Sequence, residues 1–142
     1  MSAPLSVAPT NPVFPTRLFG DIEVPPAAMI DFAEGLPGFR LARKFVLLQA
    51  ASERLRWLQS LDNANLAFLL VELAAVADPL PGSVEEAFAI VTLPARDEPA
   101  TANLAAPVLI DSIGRMGQQV IRTDQILPTA APFDLEAILR PR

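Results

Sequence analysis

The segment from residue 101 to 122, TANLAAPVLIDSIGRMGQQVIR, decides the fold of this chain. Two apolar runs, residues 108–110 and 120–121, flank a segment that contains two glycines. Strand-type runs on either side of a glycine-bearing loop are typical of a β-hairpin. Pro107 has no N–H to donate to a sheet, so we expect it at the start of its strand or on a sheet edge.

Asn103 is the polar residue of this segment that strand formation does not require. Its amide can bond neighbouring backbone groups where the strand begins, and this is the interpretation that we favour. In the alternative, Asn103, Leu104 and Ala105 form part of a strand edge that binds a partner. The two interpretations predict different effects of substituting Asn103.

The rest of the chain contains further short alternating or apolar runs separated by Gly, Pro and Asn turns. We expect these strands at residues 17–24, 29–32, 44–49, 57–61, 66–72 and 85–93. Asp62 and Asn63 are typical turn formers between two of them. No long helical period is present. The sequence therefore predicts a mainly all-β protein, with a small, strongly bent antiparallel or mixed sheet that closes into a barrel-like domain.

Both ends of the chain are expected to lie outside that domain. Residues 1–16 are rich in proline and predict a flexible arm, whose removal should barely change the melting temperature. The β domain is expected over residues 17–127. The tail, residues 128–142, contains Pro132 in front of acidic residues and Arg140 before a closing proline, which predicts a short C-terminal helix that packs on the barrel or on a partner.

The composition excludes several classes of function. The 142 residues include no cysteine and no histidine, so thiol nucleophiles, Ser-His-Asp triads and the usual zinc sites are impossible within the chain. A hydrolase that used Asp62 and Glu72 remains conceivable, but no sequence spacing supports it. We expect no enzyme activity, no metal and no cofactor.

The charge pattern argues against a nucleic-acid binder. The net charge is −5, and the eleven basic residues are scattered instead of clustered. No apolar run approaches the roughly 20 residues of a membrane span, and the first residues lack the pattern of a leader. We therefore expect a cytoplasmic protein that binds neither RNA nor a membrane.

A series of motifs resembles the flagellar assembly factor FliW family. In the order of the chain they are LFGDI at 18–22, GLPGF at 35–39, KFVLL at 44–48, WLQSLD at 57–62, and residues 101–122. The resemblance implies a small cytoplasmic β-rich protein, not an enzyme, that binds flagellin and the RNA-binding regulator CsrA. Sequestering CsrA would relieve its repression of flagellin mRNA translation. An acidic chain also suits such a partner, because CsrA must present a basic surface to RNA.

The chain departs from the family pattern in three places. The region 73–83 is shorter than in relatives, tyrosine is absent where relatives carry it, and Asp111 replaces a usual asparagine. The partner-binding candidates are Asp62, Asn63, Glu72, Asn103, Leu104 and Ala105. A small-ligand-binding β-barrel without a flagellar role is the alternative function, and a cavity large enough for a ligand would favour it.

Overall fold

Strands dominate the computed structural model, which describes residues 11–78 and 86–140. The described strands are β1 (Val13–Thr16), β2 (Gly20–Glu23), β3 (Ile30–Asp31), β4 (Lys44–Gln49), β5 (Leu55–Ser60), β6 (Ala67–Glu72), β7 (Glu86–Thr92), β8 (Ala100–Asp111), β9 (Met116–Gln119) and β10 (Ala131–Phe133). One α-helix, α1 (Leu135–Leu139), follows them.

Seven strands close into a barrel. Their order is β8, β7, β6, β5, β4, β3 and β9, and β9 pairs again with β8. The contacts are antiparallel except for one parallel pairing, Asp31 with Met116, between β3 and β9. β10 adds to the same sheet by pairing with the first residues of β8. The predicted barrel-like fold with a short C-terminal helix is confirmed.

Hydrophobic side chains fill the inside of the barrel. Because side chains alternate along a strand, every second residue of β4 to β8 points inward. The buried interior set is Ile30, Phe32, Leu36, Ala42, Phe45, Leu58, Leu70, Phe88, Val108 and Ile110. The rings of Phe32 and Phe45 meet edge to face at 5.0 Å between centroids. A close-packed interior of this kind is what stabilises the barrel.

A second hydrophobic layer covers part of the outer face of the sheet. Leu69, Val71, Ala89 and Val91 point outward and pack with Ile138 of α1. The Ser52 hydroxyl also donates to the Ile138 carbonyl oxygen at 2.7 Å. The helix therefore packs on its own barrel, which is one of the two alternatives that the sequence left open.

The helix starts later than the sequence indicated. Asp134 is the N-cap, and its carboxylate accepts the Ala137 N–H at 3.3 Å. Pro132 does not lie in the first helical turn, because it pairs with Thr101 as part of β10. A strand of three residues that includes a proline, such as β10, has almost no sequence pattern from which it could be predicted.

Strands extend beyond both expected limits of the β domain. Residues 13–16, assigned to the arm, form β1 and pair with β2, while residues 1–10 lie outside the described residues. The expected single strand over 17–24 is interrupted, because the chain turns before Gly20, which has a φ of 68°. The Thr16 hydroxyl closes this turn by accepting the Phe19 N–H at 2.9 Å. At the other end, β10 makes residues 131–133 part of the sheet.

Deleting residues 1–15 is now expected to lower the melting temperature. The deletion removes most of β1 and leaves β2 without a partner, which costs about 1–3 kcal/mol if each lost cross-strand pair contributes a few tenths to 1 kcal/mol. That corresponds to roughly 5 °C in a domain of this size. Thermal unfolding followed by circular dichroism measures the shift. A deletion of residues 1–10 keeps β1 whole and is the control, and an equal effect of both deletions would contradict the role of β1.

Candidate functional site

Asn103 lies in a bulge of β8. The register against β7 changes between Phe88 and Ile90, so that the residues of β8 between Asn103 and Val108 face a single residue of β7. The Ala105 N–H donates to Asn103 Oδ1 at 3.0 Å, which is the local backbone bond favoured for this side chain. Pro107 was expected at the start of a strand or on an edge. It lies inside β8 instead, where the bulge interrupts the ladder and no N–H is needed.

The free edge of the bulge is covered by the chain that follows β9. The Leu104 N–H donates to the Pro128 carbonyl oxygen at 3.0 Å, and the Arg122 N–H donates to the Ala105 carbonyl oxygen at 2.8 Å. The side chain of Gln119 donates to the Ala106 carbonyl oxygen at 2.9 Å. Backbone groups that a partner strand would need are thus already bonded within the chain.

Asn103→Ala is expected to destabilise the protein by about 1–3 kcal/mol, because the half-buried Ala105 N–H loses its acceptor. Binding of any partner should fall only as the unfolded fraction rises. A thermal melt and a binding isotherm on one preparation measure both quantities. An unchanged melt together with lost binding would show that Asn103 contacts the partner directly.

Asp62 and Asn63 lie in the loop between β5 and β6, and both side chains accept hydrogen bonds from backbone N–H groups. Asp62 Oδ2 accepts the N–H groups of Arg43 and Lys44 at 2.7 and 2.8 Å, so it ties this loop to the start of β4. Asn63 Oδ1 accepts the Asn65 N–H at 3.0 Å. These bonds give the loop a fixed shape, and they make both residues structural as well as exposed.

Glu72 lies far from the other candidates. It ends β6, whereas Asp62 and Asn63 precede the start of that strand, and it faces Phe88 of β7. The six sequence candidates therefore occupy three separate places: the loop between β5 and β6, the far end of β6, and the bulge of β8. They do not form one site.

A groove with arginines around it opens beside Asp62 and Asn63. It has a volume of about 520 Å³ and runs between residues 38–42 and residues 62–66. The side chains of Phe39 and Leu41 are 43% and 86% exposed there. The same part of the surface carries Arg40 and Arg43. We call this feature the arginine-rimmed groove.

A second cleft has the opposite charge. It measures about 580 Å³ and lies between the loop that joins β7 to β8 and the start of α1. Its carboxylates are Glu98, Asp134 and Glu136, and its apolar lining includes Phe133 and Leu135. Asp134 is held as the helix cap, while Glu98 and Glu136 are exposed. We call this feature the acidic cleft.

A third cleft of about 410 Å³ separates residues 33–40 from β9. Its lining is mixed in charge, with Glu34 and Asp111 opposite Arg40. Gly117 forms part of this lining, and a Cβ built there would lie 2.4 Å from Cζ of Phe32. The cleft is thus separated from the barrel interior by little more than the backbone of β9.

One charge pair lies within the chain that covers the bulge. Arg122 Nε donates to Asp124 Oδ1 at 3.0 Å. The hydrogen bond lowers the pKa of the Asp124 carboxyl and raises the pKa of the Arg122 guanidinium. The Asp124 side chain is largely exposed, so solvent screens this pair and it contributes little to stability.

The sequence matches the family model described as FliW protein over residues 13–79 and 82–133. The chain belongs to the FliW family. A relative from Treponema denticola, named flagellar assembly factor FliW, is 30% identical in an alignment of 124 residues that covers 77% of this chain and 84% of the relative. A relative of the same name from Bdellovibrio bacteriovorus is 31% identical over 139 residues, covering 85% of this chain and 78% of the relative.

The fold agrees with the family. A crystal structure of the flagellar assembly factor FliW superposes with a TM-score of 0.75 at 29% identity, covering 85% of this chain and 96% of that chain. Within residues 11–78 and 86–140, no helix has the length and apolar character needed to cross a membrane. The same ranges contain no cluster of three or more potential metal ligands.

Two departures from the FliW pattern can be examined in the structure. Asp111 Oδ1 accepts the N–H groups of Ile113 and Gly114, both at 3.0 Å, and the amide oxygen of an asparagine could accept the same bonds. Aspartate at this position therefore adds a negative charge and preserves the hydrogen bonds that shape the loop. In the shortened region, Leu73–Ala75 form a 3-10 turn with Leu73 buried, while residues 79–85 lie outside the described part of the chain.

Sequence reasoning found Asp62 and Asn63 of the groove lining but missed the other residues that line the two charged features. In the sequence, residues 35–39 stand out only as a family motif, and Arg40 and Arg43 belong to the scattered charges. A signal was present, since residues 40–44, RLARK, form the densest basic run of the chain around an exposed leucine. The acidic cleft had no such signal, because Glu98 and Glu136 meet only through the pairing of β10 with β8.

Proposed function

We propose that this protein is a cytoplasmic flagellar assembly factor that binds flagellin and a CsrA-type RNA-binding regulator. By sequestering the regulator it relieves repression of flagellin mRNA translation, and it acts by binding without catalysis. The observation that carries the proposal is membership of the FliW family over residues 13–79 and 82–133, a range that includes nearly all of the barrel.

Electrostatics supports the part of the proposal that concerns the regulator. A protein that binds RNA presents clustered Lys and Arg side chains to the phosphates. The net charge of −5 attracts such a surface and repels RNA. The acidic cleft, with exposed Glu98 and Glu136 beside apolar Phe133 and Leu135, offers both charge and hydrophobic contact. We therefore propose it as the place where the basic regulator binds.

The packing of the barrel gives no support to the small-ligand alternative. Phe32, Phe45, Leu58 and Phe88 occupy the interior and are almost inaccessible to solvent. A binding barrel needs interior space for its ligand. The clefts described above lie on the surface, where a macromolecule can reach them.

The experiment is a competition on purified components. The protein is titrated into CsrA bound to a fluorescent flagellin leader RNA, and we expect the RNA to be released while the protein alone leaves RNA mobility unchanged. Raising the salt concentration should weaken the release, since exposed charges are screened within about 8 Å at physiological ionic strength. Retardation of RNA by this protein alone would contradict the proposal.

The double variant Glu98→Lys, Glu136→Lys tests the acidic cleft. We expect at least a tenfold loss of CsrA affinity, because two attractive contacts become repulsive. The control Asp21→Lys, Glu34→Lys changes the net charge by the same amount at exposed positions elsewhere and should lose much less. A thermal melt of each variant shows that the fold is kept. Equal losses in both variants would mean that only the overall charge matters.

A further inference from the structure

The arginine-rimmed groove exposes apolar side chains that the fold does not use. Leu41 is 86% exposed at its edge, although a leucine at this position contributes nothing to the core. Phe39 leaves nearly half of its surface open and holds its ring edge to face against Phe68 at 5.7 Å. Ala42 and Leu66 continue the apolar lining inward. Contiguous exposed apolar surface around a groove is typical of a binding site for another protein.

The rim of this groove is positive in a protein that is negative overall. The Arg17 N–H donates to the carbonyl oxygen of Ala64, a lining residue, which places Arg17 beside the groove. Arg43 Nε donates to the Arg40 carbonyl oxygen at 3.4 Å. None of these three arginines pairs with a carboxylate among residues 11–78 and 86–140. Their charges are available to an acidic partner.

The nearby opposite charges are already engaged. Asp62 Oδ2 accepts two backbone N–H groups, which partly satisfies its charge. Lys44 pairs with Asp31 at 2.6 Å, so that pair is neutral as a unit. The groove lining holds one carboxylate, that of Asp62, so the arginines give the rim a net positive charge.

Several backbone N–H groups around the groove are already bonded within the chain. The N–H groups of Phe39 and Ala42 donate to the carbonyl oxygens of Leu36 and Phe39, and that of Leu66 donates to Asn63. The N–H of Arg43 is held by Asp62. This favours recognition through side chains, as when the apolar face of a helix enters a groove with anchors three and four residues apart.

We propose that the arginine-rimmed groove binds an acidic amphipathic helix of flagellin and takes no part in binding CsrA. This inference rests on the proposed function, which supplies the two partners. A basic RNA-binding surface would meet like charge at Arg40 and Arg43, whereas a helix with carboxylates beside its apolar face complements both the rim and the lining. The protein then has separate surfaces of opposite charge for its two partners.

The test uses Leu41→Ser and Arg40→Glu, with Ile126→Ser and Arg96→Glu as matched controls. All four positions are exposed, so the melting temperature should hardly change. Each variant is titrated with purified flagellin and, separately, with CsrA. We expect the two groove variants to lose about tenfold or more in flagellin affinity, as for central interface residues, and to bind CsrA within about twofold of the parent. Ile126→Ser should bind both partners normally. Arg96→Glu should bind flagellin normally and CsrA at least as tightly as the parent, because it lies in the loop that borders the acidic cleft.

Two results would overturn the groove assignment: normal flagellin binding by both groove variants, or an equal loss of CsrA affinity. A parent protein that binds neither partner would overturn the proposed function itself, which is a different outcome. Hydrogen exchange on flagellin identifies the bound segment. A newly protected helix with Asp and Glu beside an apolar face supports the inference, and a protected basic or extended segment contradicts it.

Discussion

Phe32→Ala lowers the free energy of unfolding by about 3–5 kcal/mol, the usual cost of removing a buried phenylalanine. Phe32 is completely buried, and it packs edge to face on Phe45 inside the barrel. Its removal leaves a cavity that the closed sheet cannot collapse to fill. Chemical denaturation at equilibrium measures the loss. Such a change is a large part of the 5–15 kcal/mol that stabilises a typical domain.

Phe39→Ala is the matched control, since Phe39 is the same residue type on the surface of the same loop. It should cost about 1 kcal/mol, mostly from its ring contact with Phe68. A loss for Phe32→Ala as small as that for Phe39→Ala would show that the interior tolerates voids. That outcome would also reopen the small-ligand alternative.

A double-mutant cycle tests the contact between Phe32 and β9. Gly117→Ala places a Cβ 2.4–2.9 Å from three atoms of the Phe32 ring, and overpacking of this kind costs about 1–3 kcal/mol. In a Phe32→Leu background the ring is gone, so the cost of Gly117→Ala should shrink. Additive losses would mean that β9 moves away from the ring without resistance.

Gly35→Ala is expected to destabilise the protein by about 2–5 kcal/mol, for two reasons that add. Gly35 has a φ of 65°, a conformation that costs an L-residue about 1–2 kcal/mol. A Cβ at this position would also lie 2.5 Å from the backbone oxygen of Arg40, and backbone cannot rotate away as a side chain can.

Gly38→Ala separates the two contributions. Gly38 has a φ of 84°, but a Cβ there meets nothing within 4 Å. Its substitution should therefore cost only the conformational term, about 1–2 kcal/mol. Thermal and denaturant unfolding of both variants give the difference. If the two losses are equal, the corner at residues 35–40 shifts to accommodate the methyl group.

The parts of the fold that the sequence predicted well are those with local signals. β4, β7 and the hairpin of β5 and β6 carry alternating apolar runs between turn residues, and they appear within one or two residues of the expected bounds. The region 17–24 also alternates, but a hydroxyl bond from Thr16 and the left-handed Gly20 turn the chain there. An alternating pattern of residues cannot reveal a turn when the turn residues continue the same alternation.

The strand pair that closes the barrel and the charged surfaces could not be predicted, because both arise from segments far apart in the chain. The parallel contact of β3 with β9 joins Asp31 to Met116 through one residue pair. The arginine-rimmed groove combines two loops, and its charge depends on Lys44 being neutralised by Asp31 while Arg40 and Arg43 are not. Which charged residues form ion pairs depends on the folded structure, so it cannot be derived from the number of charges in the sequence.

The closure of the barrel through β9 has a consequence during synthesis. β3 and β4 leave the ribosome early, but β3 finds its second neighbour only after residue 116 has been made, and β8 gains its outer neighbour only with β10. Until then the growing chain exposes unpaired strand edges, which are prone to join other chains. Folding must wait for contacts between distant residues, which is slow in proteins of this topology. The nascent chain is thus most vulnerable to aggregation just before β9 is translated.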